Sequence, residues 1–271
     1  MKQTTKIILG IISGIFLISL AFIIGFSFSN RRNWQWIDNS VVSMIEFSQE
    51  NKTEIEIGSF QTVCLDNEDN GEFKFFPFGS FSIKPISPEI GKQQLIVPDD
   101  LKKYLNVTNR NDTLFIRLNR KKMLDGEKLS NPNYLNISGM NLDLHTSAID
   151  IINNSTVFKI DIRMAQTDRI KINNSESVTI ESCTANEVTL LSKGNIEINN
   201  STIKKLNLDL DNIGGWSVNQ SQIDLLNLSG SREHQASISK TEFKSANWTP
   251  KNENATLNLG IKGSAARIIL E

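Results

Sequence analysis

The chain has 271 residues, enough for a substantial core, and its 29 Lys plus Arg nearly balance 30 Asp plus Glu for a formal charge of −1. That balance excludes a global basic field for nucleic acid and an acidic disordered tail. With only two histidines and two cysteines, the chain carries no HExxH, Walker A, Rossmann glycine run or CxxC, so neither catalytic residues, a metal nor a cofactor is assigned from sequence.

The first element is apolar. From Ile7 to Phe28 no residue is charged, and 22 residues at 1.5 Å each make about 33 Å of helix, enough to cross a bilayer core of about 30 Å. Lys2 and Lys6 precede it, Arg31 and Arg32 follow, and Trp34 and Trp36 stand where an interfacial aromatic belt belongs. The segment is too long for the apolar region of a cleaved signal peptide and lacks its small-x-small site. We therefore expect residues 1–32 to be a membrane anchor, the chain contacting the membrane through residues 7–28. The α-amino group, Lys2 and Lys6 narrowly outweigh Arg31 and Arg32, which places the body on the periplasmic or extracellular side of a single-pass protein.

Residues 33–122 come next. Strand-like pieces are expected at Thr53–Ile57, Phe73–Phe78, Phe81–Ile83 and Leu114–Leu118, with a weak helical stretch at Asp99–Leu105. This region reads as an N-terminal cap with irregular first coils. Cys64 and Cys183 lie too far apart in sequence for a metal motif and leave both a disulfide and two free thiols open.

Residues 123–271 hold a repeat. The phrase Ile-Asn-Asn-Ser and its variants align on Ser155, Ser175, Ser201, Ser221 and Thr241, at intervals of 20, 26, 20 and 20. Three residues before each register position stand Ile152, Ile172, Ile198, Val218 and Ile238. Apolar-polar-apolar triplets follow, with Asp161, Glu181, Asn207, Asn227 and Asn247 as the polar members; Leu142-Asp143-Leu144 is an earlier, weaker copy. Short alternating strands at this period predict an all-β fold, a single-stranded parallel β-helix (β-solenoid) of about 20 residues per coil. The excess in the 26-residue interval, around residues 182–195, predicts a loop or an added short strand.

The phrase itself reads as a corner. Asn tolerates left-handed backbone geometry, and stacked amides can bond along a column. One ladder is expected at Asn153, Asn173, Asn199 and Asn219, with Asn154, Asn174 and Asn200 beside it. Stacking in register also places Asp143, Asp161 and Glu181 on one outer face about 5 Å apart, a candidate ligand or cation site. Arg163 and Lys171 lie close enough in sequence to neutralise that column.

The run Asp112-Thr113-Leu114-Phe115-Ile116, the Leu-x-Ile strands and the opening Gly194-Asn195-Ile196 resemble the auto-transporter adhesin head GIN domain family of Bacteroidetes envelopes, over roughly residues 55–270. The Ser-Gly-Ser-Gly-Asp turns of that family are mostly replaced here by Asn-Asn-Ser. The resemblance implies a β-solenoid with an adhesive or scaffold role in the envelope, binding a protein or glycan, and no catalytic residues. Two alternatives stay open: a polysaccharide lyase or hydrolase using the acidic column, and a component of an envelope sensing complex.

Overall fold

The computed structural model describes residues 43–262, apart from 69–74, 87–90, 127–134, 147–149, 155, 157, 164–165 and 175–176. The apolar segment 7–28 therefore lies outside the described residues, as do Ser155 and Ser175 of the repeated phrase. Among the described residues no helix is long and apolar enough to cross a membrane.

Among the described residues, twenty strands and two short helices follow one another. The first part of the chain gives β1 (Ser43–Glu46), β2 (Lys52–Glu56), β3 (Thr62–Asn67), β4 (Phe75–Lys84), β5 (Gln94–Pro98), α1 (Asp99–Lys102), β6 (Leu105–Arg110), β7 (Thr113–Leu118), α2 (Arg120–Gly126) and β8 (Leu135–His145). The second gives β9 (Ile151–Asn154), β10 (Lys159–Ile162), β11 (Thr167–Asn174), β12 (Val178–Glu181), β13 (Thr184–Ser192), β14 (Asn195–Asn199) and β15 (Thr202–Asp209). After a 3₁₀ turn at Leu210–Asn212 come β16 (Gly215–Asn219), β17 (Gln222–Gly230), β18 (Glu233–Ser239), β19 (Glu242–Pro250) and β20 (Thr256–Lys262).

From β9 onward the strands alternate between two open sheets, odd-numbered strands in one and even-numbered strands in the other, all paired parallel. Each pair of strands forms one repeat, which cannot bury its apolar residues until its neighbours stack on it. The inward columns then become continuous. Val188, Leu206 and Leu226 run through the odd sheet and Ile180, Ile198 and Val218 through the even one, all fully buried.

The repeat counts differently from the phrase. Ile172 pairs with Leu190 and Leu190 with Leu208, steps of 18; Leu208 pairs with Leu228, a step of 20. Residues 182–195 are not an insertion, because Thr184–Ser192 is the full strand β13. Instead the phrase has slipped by half a repeat, ending β9 and β11 in the odd sheet but β14 in the even one. The column of Ile152 and Ile172 thus holds before the 26-residue interval and those of Ile198 and Val218 and of Asn207 and Asn227 after it, without joining across it, whereas Asp161 and Glu181 do not share a column.

The first part of the chain breaks sequential order. β3 lies between β7 and β9, and β4 between β8 and β10, so β3–β4 is stacked ahead of β7–β8, its successor in sequence. Of the expected pieces at Phe73–Phe78 and Phe81–Ile83, the described residues from Phe75 onward fall on one strand, β4, whose Phe81 and Ile83 are fully buried. The far end is finished differently. β5 runs antiparallel on β8, β2 on β5, and β6 on β7. Asn111 and Asp112 turn the β6–β7 hairpin with φ of 50° and 57°, the doubly left-handed geometry of a two-residue hairpin loop.

Candidate functional site

The acidic residues singled out from sequence are placed apart and paired with cations. β4 separates β8 from β10, so Ser82 sits between Asp143 and Asp161. At a strand spacing of about 4.8 Å the two carboxylates are two strands apart, not one. Asp161 pairs with Thr179, which shifts Glu181 two residues along its strand. The expected stack of three acids fails because stacking follows the 18-residue step and the interleaved β4. Lys84 Nζ lies 2.8 Å and Lys52 Nζ 3.6 Å from Asp143. Arg163 spans the other two, 3.2 Å from Asp161 and 3.6 Å from Glu181. The hydrogen bond and charge of Asp161 hold the Arg163 guanidinium above its usual range. Among the described residues no three His, Cys, Asp or Glu side chains are grouped to hold a metal ion.

The asparagines form two separate short ladders. Asn173 Nδ2 donates to Asn153 Oδ1 at 2.7 Å in the odd sheet, and Asn219 Nδ2 to Asn199 Oδ1 at 3.1 Å in the even sheet. Asn173 pairs with Leu191, not Asn199, because the phrase changes sheets. In the neighbouring column the Asn174 side chain lies outside the described residues. Asn154 is buried and closes its own corner, donating to the Phe158 carbonyl and accepting from the Thr156 amide, each at 2.9 Å. Asn174 ends β11. Asn200 takes a left-handed φ of 51°, a conformation shared by Ser182, Gln220 and Lys240 at the matching corners. The serine of the phrase is the buried member. Ser201 and Ser221 donate to the Asn199 and Asn219 carbonyls at 2.8 Å, and Ser221 Oγ accepts from the Ser201 amide at 3.1 Å. So one asparagine ties repeats together, the next turns the chain, and the serine satisfies buried backbone. A further ladder, Asn247 to Asn227 to Asn207, occupies the polar column of the later strands, with donor distances of 3.3 and 2.8 Å.

The two thiols are free. Burial pushes the Cys183 thiol up to about 11, and burial, then Asp66, raises that of Cys64 against the lowering effect of Arg117. Both stay protonated and unreactive at neutral pH.

The feature that sequence reasoning missed lies where the repeat lengthens. Between β13 and β14 the chain turns through Lys193 and Gly194, whereas between β15 and β16 it passes through residues 210–214. The two added residues produce the 3₁₀ turn and open a cleft of about 420 Å³, lined by Leu210, Ile213, Trp216, Arg232, Glu233 and Gln235 among others. Asp211, in that turn, is the hub. Its Oδ1 accepts from the Ser231 amide at 2.6 Å and hydroxyl at 2.9 Å, and lies 3.2 Å from His234 Nε2. Since a carboxylate only accepts, Nε2 carries the proton. Lys251 reaches Asp209 at 2.6 Å and Asp211 at 2.8 Å. Lys251 foremost, then Ser231 and His234, hold the Asp211 carboxyl well below the usual range.

The rest of the wall follows from that hub. Arg232 donates to the Asp211 carbonyl at 3.2 Å while remaining exposed. His234 packs edge-on to Trp248 with ring centroids 6.2 Å apart. Gly230 makes this fit, since a Cβ there would lie 2.5 Å from His234 Nε2. Trp216 occupies the inward column that Ile196 holds one repeat earlier, and its indole N–H is buried with no acceptor among the described residues. The sequence signal was the Gly214-Gly215-Trp216 break in an otherwise aliphatic column.

No family model and no curated protein matches the chain. Solved structures of Bacteroidetes proteins do resemble it. A "putative adhesin" from Bacteroides fragilis is 15% identical with a TM-score of 0.46, over 83% of this chain and 100% of that one. A "putative lipid binding protein" from Parabacteroides distasonis is 14% identical with a TM-score of 0.44, over 84% and 100%. A "putative adhesin" from Parabacteroides merdae is 11% identical with a TM-score of 0.34, over 82% and 99%. These names accord with the adhesin head resemblance; at such identities and scores they carry no argument about what this chain binds.

Proposed function

We propose that the chain is a membrane-anchored, envelope-facing β-solenoid that acts as a non-catalytic adhesion or binding module, with its ligand at the cleft beside Asp211. The observation that carries this reading is the turn at residues 210–214, where the 18-residue step becomes 20. Where the 18-residue steps from β11 to β15 give way to 20, the two extra residues open a cleft whose polar wall is organised by one carboxylate. Lengthened turns in repeat arrays sit on one face and commonly carry the binding surface. The ion pairs on Asp143, Asp161 and Glu181 support a structural role for that face. The apolar run 7–28 and its flanking charges support anchoring with the body outside the cytoplasm.

In-cell photo-crosslinking tests it. A photoreactive side chain at exposed Gln235, on the cleft wall, is expected to give a dominant envelope adduct, and one at exposed Lys171 on the odd sheet none. Equal labelling from both positions, or none from Gln235, overturns the assignment of the cleft.

A further inference from the structure

We infer that the outer face of the β6–β7 hairpin is a second binding site, which takes the phosphate group of a ligand between the guanidiniums of Arg110 and Arg117. The hairpin ends the odd sheet on the side away from the Asp211 cleft. Its antiparallel register builds the site. Arg110 stands opposite Thr113, Thr108 opposite Phe115, and Asn106 opposite Arg117. These side chains therefore share one face, with an arginine at either end and the Thr108–Phe115 pair between them. Thr108, Arg110, Asn111, Thr113, Phe115 and Arg117 line a hollow of about 280 Å³. Arg110 is exposed and Thr113, Phe115 and Arg117 are half-buried, so a ligand can reach them.

Two observations point to an anion. First, neither arginine is ion-paired among the described residues. Arg163 and Arg169, by contrast, are paired with Asp161 and Asp150, and Arg232 donates to a carbonyl. Asp66 stands beside Arg117 on β3, but neither it nor Asp112 at the hairpin turn lines the hollow. Second, the lining is rich in donors. Two guanidiniums with five N–H groups each are joined by two hydroxyls and one amide, and by no carboxylate.

The arrangement of those donors favours phosphate. The Arg117 guanidinium carbon lies 4.9 Å from the centre of the Phe115 ring, within cation–π range. That contact holds the guanidinium over the ring and leaves its N–H groups for a ligand. A guanidinium gives two parallel hydrogen bonds to phosphate oxygens. A phosphate ester has three strong acceptor oxygens to share between two such groups and the threonine hydroxyls, where a carboxylate has two. The hollow falls just below the range of about 300–1,000 Å³ for whole small-molecule sites, so it suits a single anionic group.

Equilibrium dialysis of inorganic phosphate against the full chain in uncharged detergent tests this. Saturable uptake is expected, weakened at least tenfold in Arg110→Gln and in Arg117→Gln. Arg163→Gln, which removes an ion-paired arginine, should leave it unchanged. Arg110→Gln alters an exposed side chain on the end strand, so it decides the matter if Arg117→Gln melts. No saturable uptake, undiminished uptake by folded Arg110→Gln, or an equal loss in Arg163→Gln overturns the inference. Competition then separates two sources of the phosphate. Displacement at least tenfold better by a short-chain phosphatidate than by glycerol phosphate upholds the inference with a lipid headgroup as ligand, and equal displacement upholds it with a soluble ester. Displacement by neither overturns it. The Gln235 photo-crosslink is expected to survive in Arg110→Gln, so the cleft and the hairpin site stand or fall separately.

Discussion

The two copies of Ile-Asn-Asn-Ser that begin at Ile172 and Ile198 are identical in sequence and lie in opposite sheets. Asn173 bonds back to Asn153 within the odd sheet, whereas Asn199 receives Asn219 within the even one. The difference teaches that the phrase specifies a corner and not a sheet. The stacked amide is common to both copies, whereas the left-handed residue and the buried hydroxyl are described at the even-sheet corner, at Asn200 and Ser201. Which column a copy joins is decided by stacking, through the inward aliphatic residues.

The same contrast separates the two parts of the chain. From β9 to β20 the stack follows sequence order, and neighbours are 18 to 20 residues apart until the final pairing. Ahead of β9, β3–β4 and β7–β8 exchange places and antiparallel strands close the end. The largest predicted effect tests that exchange. Phe81→Ala empties a fully buried position on the interleaved β4 and should cost about 3–5 kcal/mol by denaturant unfolding. A loss below about 1 kcal/mol would mean that β4 is peripheral to the stack.

Backbone comes next. Gly139 has φ of 75°, and a Cβ there would lie 2.2 Å from the Phe47 carbonyl oxygen, so Gly139→Ala should destabilise by more than about 1 kcal/mol. The corner hydroxyl follows. Ser221→Ala removes a donor to the Asn219 carbonyl and an acceptor of the Ser201 amide, an expected loss of about 1–3 kcal/mol. Asn200→Ala at the exposed left-handed position should cost about 1–2 kcal/mol through strain alone. If the two corner variants were both neutral, the shared geometry would not be what selects the phrase.

Acid should sharpen the difference between the cleft and the ion-paired face. Asp211 is held below the ordinary aspartate value of about 3.9, so its contribution to stability is present above that pH and lost as pH falls toward its folded value. Unfolding midpoints measured between about pH 5 and pH 2 should therefore fall less steeply in Asp211→Asn than in the native chain. The smallest effect is expected at Asp161→Asn. Its Arg163 partner is 56% exposed, and exposed pairs contribute about 0–1 kcal/mol. Cleft binding should be unchanged in that variant.

Much of this was legible in the sequence. Alternation at Leu206-Asn207-Leu208 and Leu226-Asn227-Leu228 announces short half-buried strands, and their spacing announces parallel stacking. The left-handed corner was legible in Asn200, because few side chains accept that geometry. The half-repeat slip was hidden, since one phrase serves both sheets. So was the placement of β4, which depends on pairing between distant segments. The cleft was hidden for another reason. The Gly214-Gly215-Trp216 break interrupts an aliphatic column, but only the surroundings of Trp216 show that its N–H lacks an acceptor among the described residues.

The most direct test of the stacking rule is disulfide trapping with two engineered cysteine pairs. Asn173 and Leu191 are directly paired on adjacent parallel strands, while Asn173 and Asn199 sit in different sheets. Asn173→Cys with Leu191→Cys should oxidise readily in the folded chain, since adjacent strands bring Cα atoms within the roughly 4.4–6.8 Å that a disulfide spans. Asn173→Cys with Asn199→Cys should stay reduced. Trapping of the second pair in place of the first would show that the repeat steps by the phrase after all, and would contradict the account.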